Sequence, residues 1–223
     1  MAVTSALILL DLDGTLADSY PGIASSVVHA FTASGLTVPT PAELRSFVGP
    51  PLHHALVERG ISPAQAERMV GHYRDAYGAG AMFDNAVYDG IPEALLALRE
   101  AGAALLVATS KPEAYAVPIC EHLGIAPLVD GIFGASLEAG AGTKADVIAR
   151  ALTGRDPHER RLMVGDREHD VLGARANDVD CIGVAWGYAS PGELDAAGAV
   201  EVVGTPTELV GAAARRLGLR PPP

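Results

Sequence analysis

The sequence predicts an α/β fold: a doubly wound, Rossmann-like parallel sheet core interrupted early by an all-helical insert. Three observations carry this. Ala6–Leu10 is an unbroken apolar run, the mark of a strand covered on both faces. Between Ala17 and about Phe83 helix signals recur and nothing reads as a strand. From Tyr88 onward short apolar runs alternate with helical stretches, the rhythm of a parallel sheet with helices on both faces. The expected division is a core of residues 1–16 and 84–223 and a helical insert of residues 17–83.

Within the insert, Ile23, Val27 and Phe31 recur at helical spacing and form one apolar face. Thr40 and Pro41 open a helix, with Glu43 completing a capping box. Ser62 to Gln65 repeats the device with glutamine, and the helix that follows carries Met69, Val70, Tyr73 and Tyr77 on one side. After Tyr88, "IPEALLALREAG" is a helix ending at Gly102 and "AALLVATS" a buried strand. "KPEAYAVPICEHLG" is a helix expected to bend or break at Pro118, which donates no backbone hydrogen bond. "DGIFGAS" is a short strand, "TKADVIARALTG" a helix with Thr143 as N-cap, "RLMVGD" a strand, "REHDVLGARAND" a helix and "CIGVAWG" a strand. "ELDAAG", "VEVVG" and a last helix through "ELVGAAARRLG" follow, and the closing "PPP" is expected to fray.

Bulk properties narrow the function. Lys and Arg number 16 against 27 Asp and Glu, a formal charge of −11. The paired arginines Arg160-Arg161 and Arg215-Arg216 are too few for a duplex footprint, so no nucleic acid duplex is expected as partner. No apolar run approaches the ~20 residues of a membrane span, and the first residues lack the basic region of a signal peptide. Cys120 and Cys181 stand far apart without metal-ligand spacing and are expected to be reduced, buried thiols. The expectation is a soluble cytoplasmic protein, monomer or homodimer, acting on a small molecule.

Chemistry collects at strand ends. Asp11 and Asp13 close the first strand, and residues two apart on a strand point to the same side. Two carboxylates in one small space raise each other's pKa, a costly arrangement unless a cation sits there. A second strand ends in Thr109-Ser110-Lys111 and a later one in Gly165-Asp166, with Asp170 four residues on. Ligands of open α/β sheets bind beyond these carboxyl ends, so the three strand ends point to one site.

These residues resemble a family. "DLDGTLADS" is similar to the first motif of the haloacid dehalogenase-like hydrolases, "VATS" to the second and "GDREHD" to the fourth; Lys144 in "GTKADVI" matches the lysine of the third. Many related phosphatases carry proline after that lysine and this chain does not; Lys111 in "TSKP" is its competitor, otherwise read as a helix-start lysine near the rim. The insert matches the family's cap inserted after the first motif. The resemblance implies that Asp11 is the nucleophile and forms an aspartyl-phosphate, and that Asp13 is the general acid and then base. It implies that Thr109, Ser110 and Lys144 hold the phosphoryl group. Mg²⁺ is the implied cofactor, on Asp11, Asp166, Asp170 and the Asp13 carbonyl.

The implied activity is hydrolysis of a small phosphate ester. "FVGPPL" and "VGDREHDVLGARANDVDCIGVAWGYAS" look most like the phosphoglycolate phosphatase and 5'-nucleotidase-like branch, with Arg45, Gly49 and Pro50 as candidates for substrate selection. A sugar-phosphate phosphomutase is the alternative. A dehalogenase fits less well, because a halide leaves without needing the proton of Asp13. A phospho-acceptor domain fits less well because it lacks the insert and the DGT motif. His169, inside "REHD", is read as a surface or supporting residue and not as a base.

Overall fold

The structure is a computed structural model that describes residues 6–137 and 142–220, so the expectation for the closing prolines falls outside it. The strands are β1 (Ala6–Leu10), β2 (Ala17–Asp18), β3 (Ala86–Val87), β4 (Ala103–Pro112), β5 (Gly131–Ala135), β6 (Arg160–Gly165), β7 (Asp180–Val184) and β8 (Glu201–Val203). The helices are α1 (Tyr20–Ala33), α2 (Pro41–Arg45), α3 (Leu52–Glu58), α4 (Pro63–Gly78), α5 (Ile91–Glu100), α6 (Glu113–His122), α7 (Lys144–Leu152), α8 (Glu168–Arg175), α9 (Glu193–Ala197) and α10 (Pro206–Leu217). Two compact units result: one runs up to Ala17 and resumes at Val87, the other is Asp18–Ala86.

The first unit is built on a six-stranded sheet in the order β5-β4-β1-β6-β7-β8, and every neighbouring pair is parallel. This is the expected α/β core. From β1 the chain winds outward through β4 to β5, then returns to β6 on the other side of β1 and winds outward again. The order therefore reverses at β1, the switch point where such sheets open a crevice. All of β1 is buried, as a central parallel strand requires. Leu7, Leu9 and Met163 pack with Val147 and Ile148 of α7, Val171 of α8 and Leu194 of α9 on one face. Helices α5 and α10 pack against each other and the opposite face. Helix α6 runs through Pro118 without interruption, so the expected break does not occur.

In the second unit α1 packs on α4, and α3 on α4. Ile23, Val27 and Phe31 are all buried, as are Met69, Val70 and Tyr77. Thr40 and Glu43 form the expected capping box. Ser62 does not repeat it. The Gln65 amide that its hydroxyl would cap is taken at 3.0 Å by the Ser62 carbonyl, which also accepts from Ala66 at 2.8 Å. One expectation is corrected at the start of the insert: Ala17–Asp18 is a strand, paired with Ala86–Val87. Two residues are too few for a hydrophobic period to register in sequence.

Candidate active site

Strand β1 delivers Asp11 to the switch point, where its amide donates to the Val164 carbonyl of β6 at 2.9 Å. The chain then turns tightly: the amides of Leu16 and Ala17 both donate to the Leu12 carbonyl at 3.0 Å. Gly14 makes the turn at φ +83°, and a Cβ there would stand 2.2 Å from Asp166 Oδ2. Only glycine allows this backbone to lie against that carboxylate.

Asp11, Asp13, Asp166 and Asp170 are all buried, and so are Thr109, Lys111 and Lys144. Carboxylate oxygens of Asp11, Asp166 and Asp170 lie within 4.8 Å of one another. Lys144 Nζ, at the start of α7, sits 2.7 Å from Asp11 Oδ1 and 2.6 Å from Asp170 Oδ1. Its helix is started by a capping box in which the Thr143 hydroxyl accepts from the Asp146 amide. Lys111 Nζ lies 2.9 Å from Asp13 Oδ2. The second Asp13 oxygen, Oδ1, is buried and accepts no hydrogen bond.

Asp166 is held from two sides. Its Oδ1 accepts from the Thr15 hydroxyl at 3.3 Å and its Oδ2 from the Tyr188 amide at 2.8 Å. The Thr15 carbonyl in turn accepts from the Trp186 indole N–H at 3.0 Å. Asp170 Oδ2 accepts from the Arg167 amide at 3.1 Å at the start of α8. Burial drives the Asp166 carboxyl well above the ordinary range, and the charges of Asp170 and Asp11 add to it. Burial also pushes Asp170 up to about 6, against the downward pull of Lys144. Burial alone would lower Lys144, but Asp11 and Asp170 outweigh it and hold the ammonium charged.

Four carboxylates against two ammonium groups leave two negative charges, the charge of one divalent cation. The donor set is all oxygen and comes from the ends of β1 and β6 and the first turn of α8, which suits a hard cation such as Mg²⁺. The raised carboxyls of Asp166 and Asp170 are what such a cluster exhibits without that cation. The residues present therefore fit the metal that the motifs imply.

The candidates taken from the sequence distribute as follows. Asp11, Asp13, Thr109, Lys144, Asp166 and Asp170 come together at the ends of β1, β4 and β6 and the starts of α7 and α8. Ser110 is half-buried between the buried Thr109 and Lys111. His169 is exposed. Arg45, Gly49 and Pro50 belong to the second unit. Arg45 ends α2 with its guanidinium 5.8 Å from the Tyr20 ring centre, and Gly49 has φ +104°.

Lys111 is corrected: it is the penultimate residue of β4, buried and ion-paired, not a helix-start lysine at a rim. A sequence signal for this existed, because Lys111 follows Thr109 by two residues as Asp13 follows Asp11. The supporting roles of Thr15, Trp186 and the Tyr188 amide had no such signal; they depend on a loop after β7 that folds back onto the turn after β1.

Comparison with known proteins agrees with this geometry. The chain is 44% identical over 190 residues to the Mycobacterium tuberculosis protein named tyrosine-protein kinase PtkA, covering 85% of this chain and 65% of that protein. The chain thus spans somewhat less than two thirds of that relative's length. It is 41% identical over 191 residues to a Pseudomonas aeruginosa 5'-nucleotidase, covering 85% of this chain and 86% of the relative. Among solved structures, one described as a predicted phosphatase from Clostridium acetobutylicum superposes with a TM-score of 0.90 at 39% identity, over 95% of this chain and 99% of that one. A sequence model described as haloacid dehalogenase-like hydrolase matches residues 8–184. The chain belongs to the haloacid dehalogenase-like hydrolase family.

Proposed function

We propose that the protein is a Mg²⁺-dependent phosphate monoester hydrolase acting on a small phosphorylated metabolite of the phosphoglycolate or nucleoside 5'-monophosphate kind. The observation that carries this is the buried cluster at the switch point, in which Asp11 and Asp13 each face their own lysine and Asp11, Asp166 and Asp170 converge. Asp11 attacks phosphorus, and the bond to the leaving oxygen breaks as that oxygen takes a proton from Asp13. Water then gives a proton to Asp13 and attacks the phosphorus of the aspartyl-phosphate, releasing inorganic phosphate and restoring Asp11. Thr109, Ser110 and Lys144 hold the phosphoryl oxygens, the lysine as a point charge. Asp11, Asp166, Asp170 and the Asp13 carbonyl hold the cation; when bound, it neutralises charge and polarises the phosphoryl group. Residues 17–83 act as the cap domain and choose the substrate, with Arg45, Gly49 and Pro50 taking part. The setting is cytoplasmic and the assembly a monomer or homodimer; among the described residues no helix is long and apolar enough to cross a membrane.

The test is phosphate release from a panel of phosphoglycolate, nucleoside 5'-monophosphates and sugar phosphates, with Mg²⁺ and with EDTA. Turnover of at least one ester, lost in EDTA and restored by Mg²⁺, is expected. Full activity in metal-stripped protein overturns the role given to Asp166. A second reading, phosphoryl transfer onto a protein tyrosine, draws on the name of the 44% identical relative. It predicts label transfer from ATP to a tyrosine copolymer, with no phosphate release from small esters.

A further inference from the structure

We propose that Lys111 is a positioning residue for the leaving-group proton: it fixes the Asp13 carboxyl so that Oδ1, and not Oδ2, meets the leaving oxygen. The inference rests on the phosphate-ester reading above and adds to it a role for a second buried lysine.

Lys111 Nζ engages Asp13 Oδ2 at 2.9 Å, and both side chains are almost wholly out of solvent. Removing a lysine and a carboxylate from water is costly, and a pair of this kind persists where geometry is well matched. Asp13 Oδ1, by contrast, is buried without any donor. A buried oxygen with no partner is costly, so it points to a group that arrives with the substrate. One carboxyl thus has one oxygen anchored and one reserved.

The anchor is built into the sheet. The pairing of β4 with β5 loses register between Ala108 and Pro112, where the strand carries Thr109 and Lys111. The Lys111 amide donates to the Thr109 hydroxyl at 3.2 Å, which ties the lysine to a residue assigned to the phosphoryl group. Lys144 is committed elsewhere, to Asp11 and Asp170. The two lysines therefore serve different halves of the reaction: Lys144 serves the nucleophile and the cation cluster, and Lys111 serves the proton donor.

The experiment compares wild type, Lys111→Met, Asp13→Asn and the double variant on p-nitrophenyl phosphate and on an alkyl phosphate, with inorganic phosphate as competitive inhibitor. An aryl oxide leaves without a full proton transfer, and an alkoxide does not. Lys111→Met is expected to slow the alkyl ester at least tenfold more than the aryl ester, as Asp13→Asn does, while the inhibition constant for phosphate stays within about twofold. In the Asp13→Asn background, Lys111→Met is expected to change the alkyl-to-aryl ratio by less than twofold.

The double variant leaves no unpaired buried charge, so it keeps the comparison available if Lys111→Met alone fails to fold. The proposal is overturned if Lys111→Met slows both esters equally, if the phosphate inhibition constant rises tenfold, or if the two substitutions multiply in their effect on the ratio. A rise in the inhibition constant would make Lys111 a phosphoryl ligand. Absence of wild-type turnover on any phosphate ester would instead refute the functional reading on which this rests.

Discussion

Replacing Lys144 by methionine removes one charge and almost no volume. The ammonium lies 2.7 Å from Asp11 Oδ1 and 2.6 Å from Asp170 Oδ1, and the residue is 6% exposed. Each contact is worth about 6 kcal/mol at these distances and the effective dielectric of 20 that suits such pairs, and the desolvation of lysine offsets much of the sum. Removing one partner of a buried pair costs about 3–5 kcal/mol, because the carboxylates stay behind uncompensated. At a urea slope of about 2–3 kcal/mol per M, the unfolding midpoint should fall by about 1–2 M in EDTA at pH 7. Saturating Mg²⁺ should recover part of that loss, since the cation takes over charge that lysine neutralised. Phosphate release should fall at least about a hundredfold, the usual effect of losing a charged contact to the transferring group. A midpoint shift below about 0.3 M in EDTA would refute the reasoning, because the cluster would then tolerate its own repulsion without the lysine.

Asp11→Asn should abolish turnover with the fold retained, as circular dichroism and phosphate release together would establish; measurable multiple turnover removes Asp11 as nucleophile. Asp170 is raised to about 6 and Asp166 is raised too, so each favours the folded state below the ordinary carboxyl range and loses that effect as pH climbs through the raised value. Urea unfolding in EDTA should therefore show stability rising between pH 7 and pH 4.5, by on the order of 2 kcal/mol from Asp170 with Asp166 acting in the same direction, and saturating Mg²⁺ should remove the rise. Gly14→Ala puts a Cβ 2.2 Å from Asp166 Oδ2 at φ +83° and should cost about 2 kcal/mol or more together with most of the activity; unchanged Mg²⁺ dependence and rate would contradict it. Arg45→Ala and Pro50→Gly should reorder the substrate panel while sparing p-nitrophenyl phosphate, because remote binding energy reaches only substrates able to use it; equal loss on both counts against substrate selection.

The sheet was legible because a central parallel strand has to be apolar on both faces. Ala6–Leu10 and the run before Thr109 stand out for that reason alone. Most of the cluster was legible because each motif sits where a strand stops and polarity begins. The pairing of Lys111 with Asp13 was harder to foresee, since it depends on β4 lying beside β1 and on the register change near its end. The link from Trp186 to Thr15 lies further out of reach, because it joins two loops that nothing in their own composition brings together. Ser62 misled because a capping sequence states only that a hydroxyl is available, while the carbonyl of the same residue had already taken the amide.

The pairing of Ala17–Asp18 with Ala86–Val87 has a consequence for chain entropy. A long excursion between two fixed points costs the first unit a loop-closure penalty that grows only slowly with length, by about 0.6 kcal/mol per doubling. Here the points of departure and return are neighbours in a ladder, reinforced by the Tyr88 amide on the Leu16 carbonyl at 3.1 Å. The first unit therefore sees the excursion as it would see a hairpin turn, whatever its length or content. Segments of very different size can be exchanged at this position without altering the strand that leads to Asp11 and Asp13.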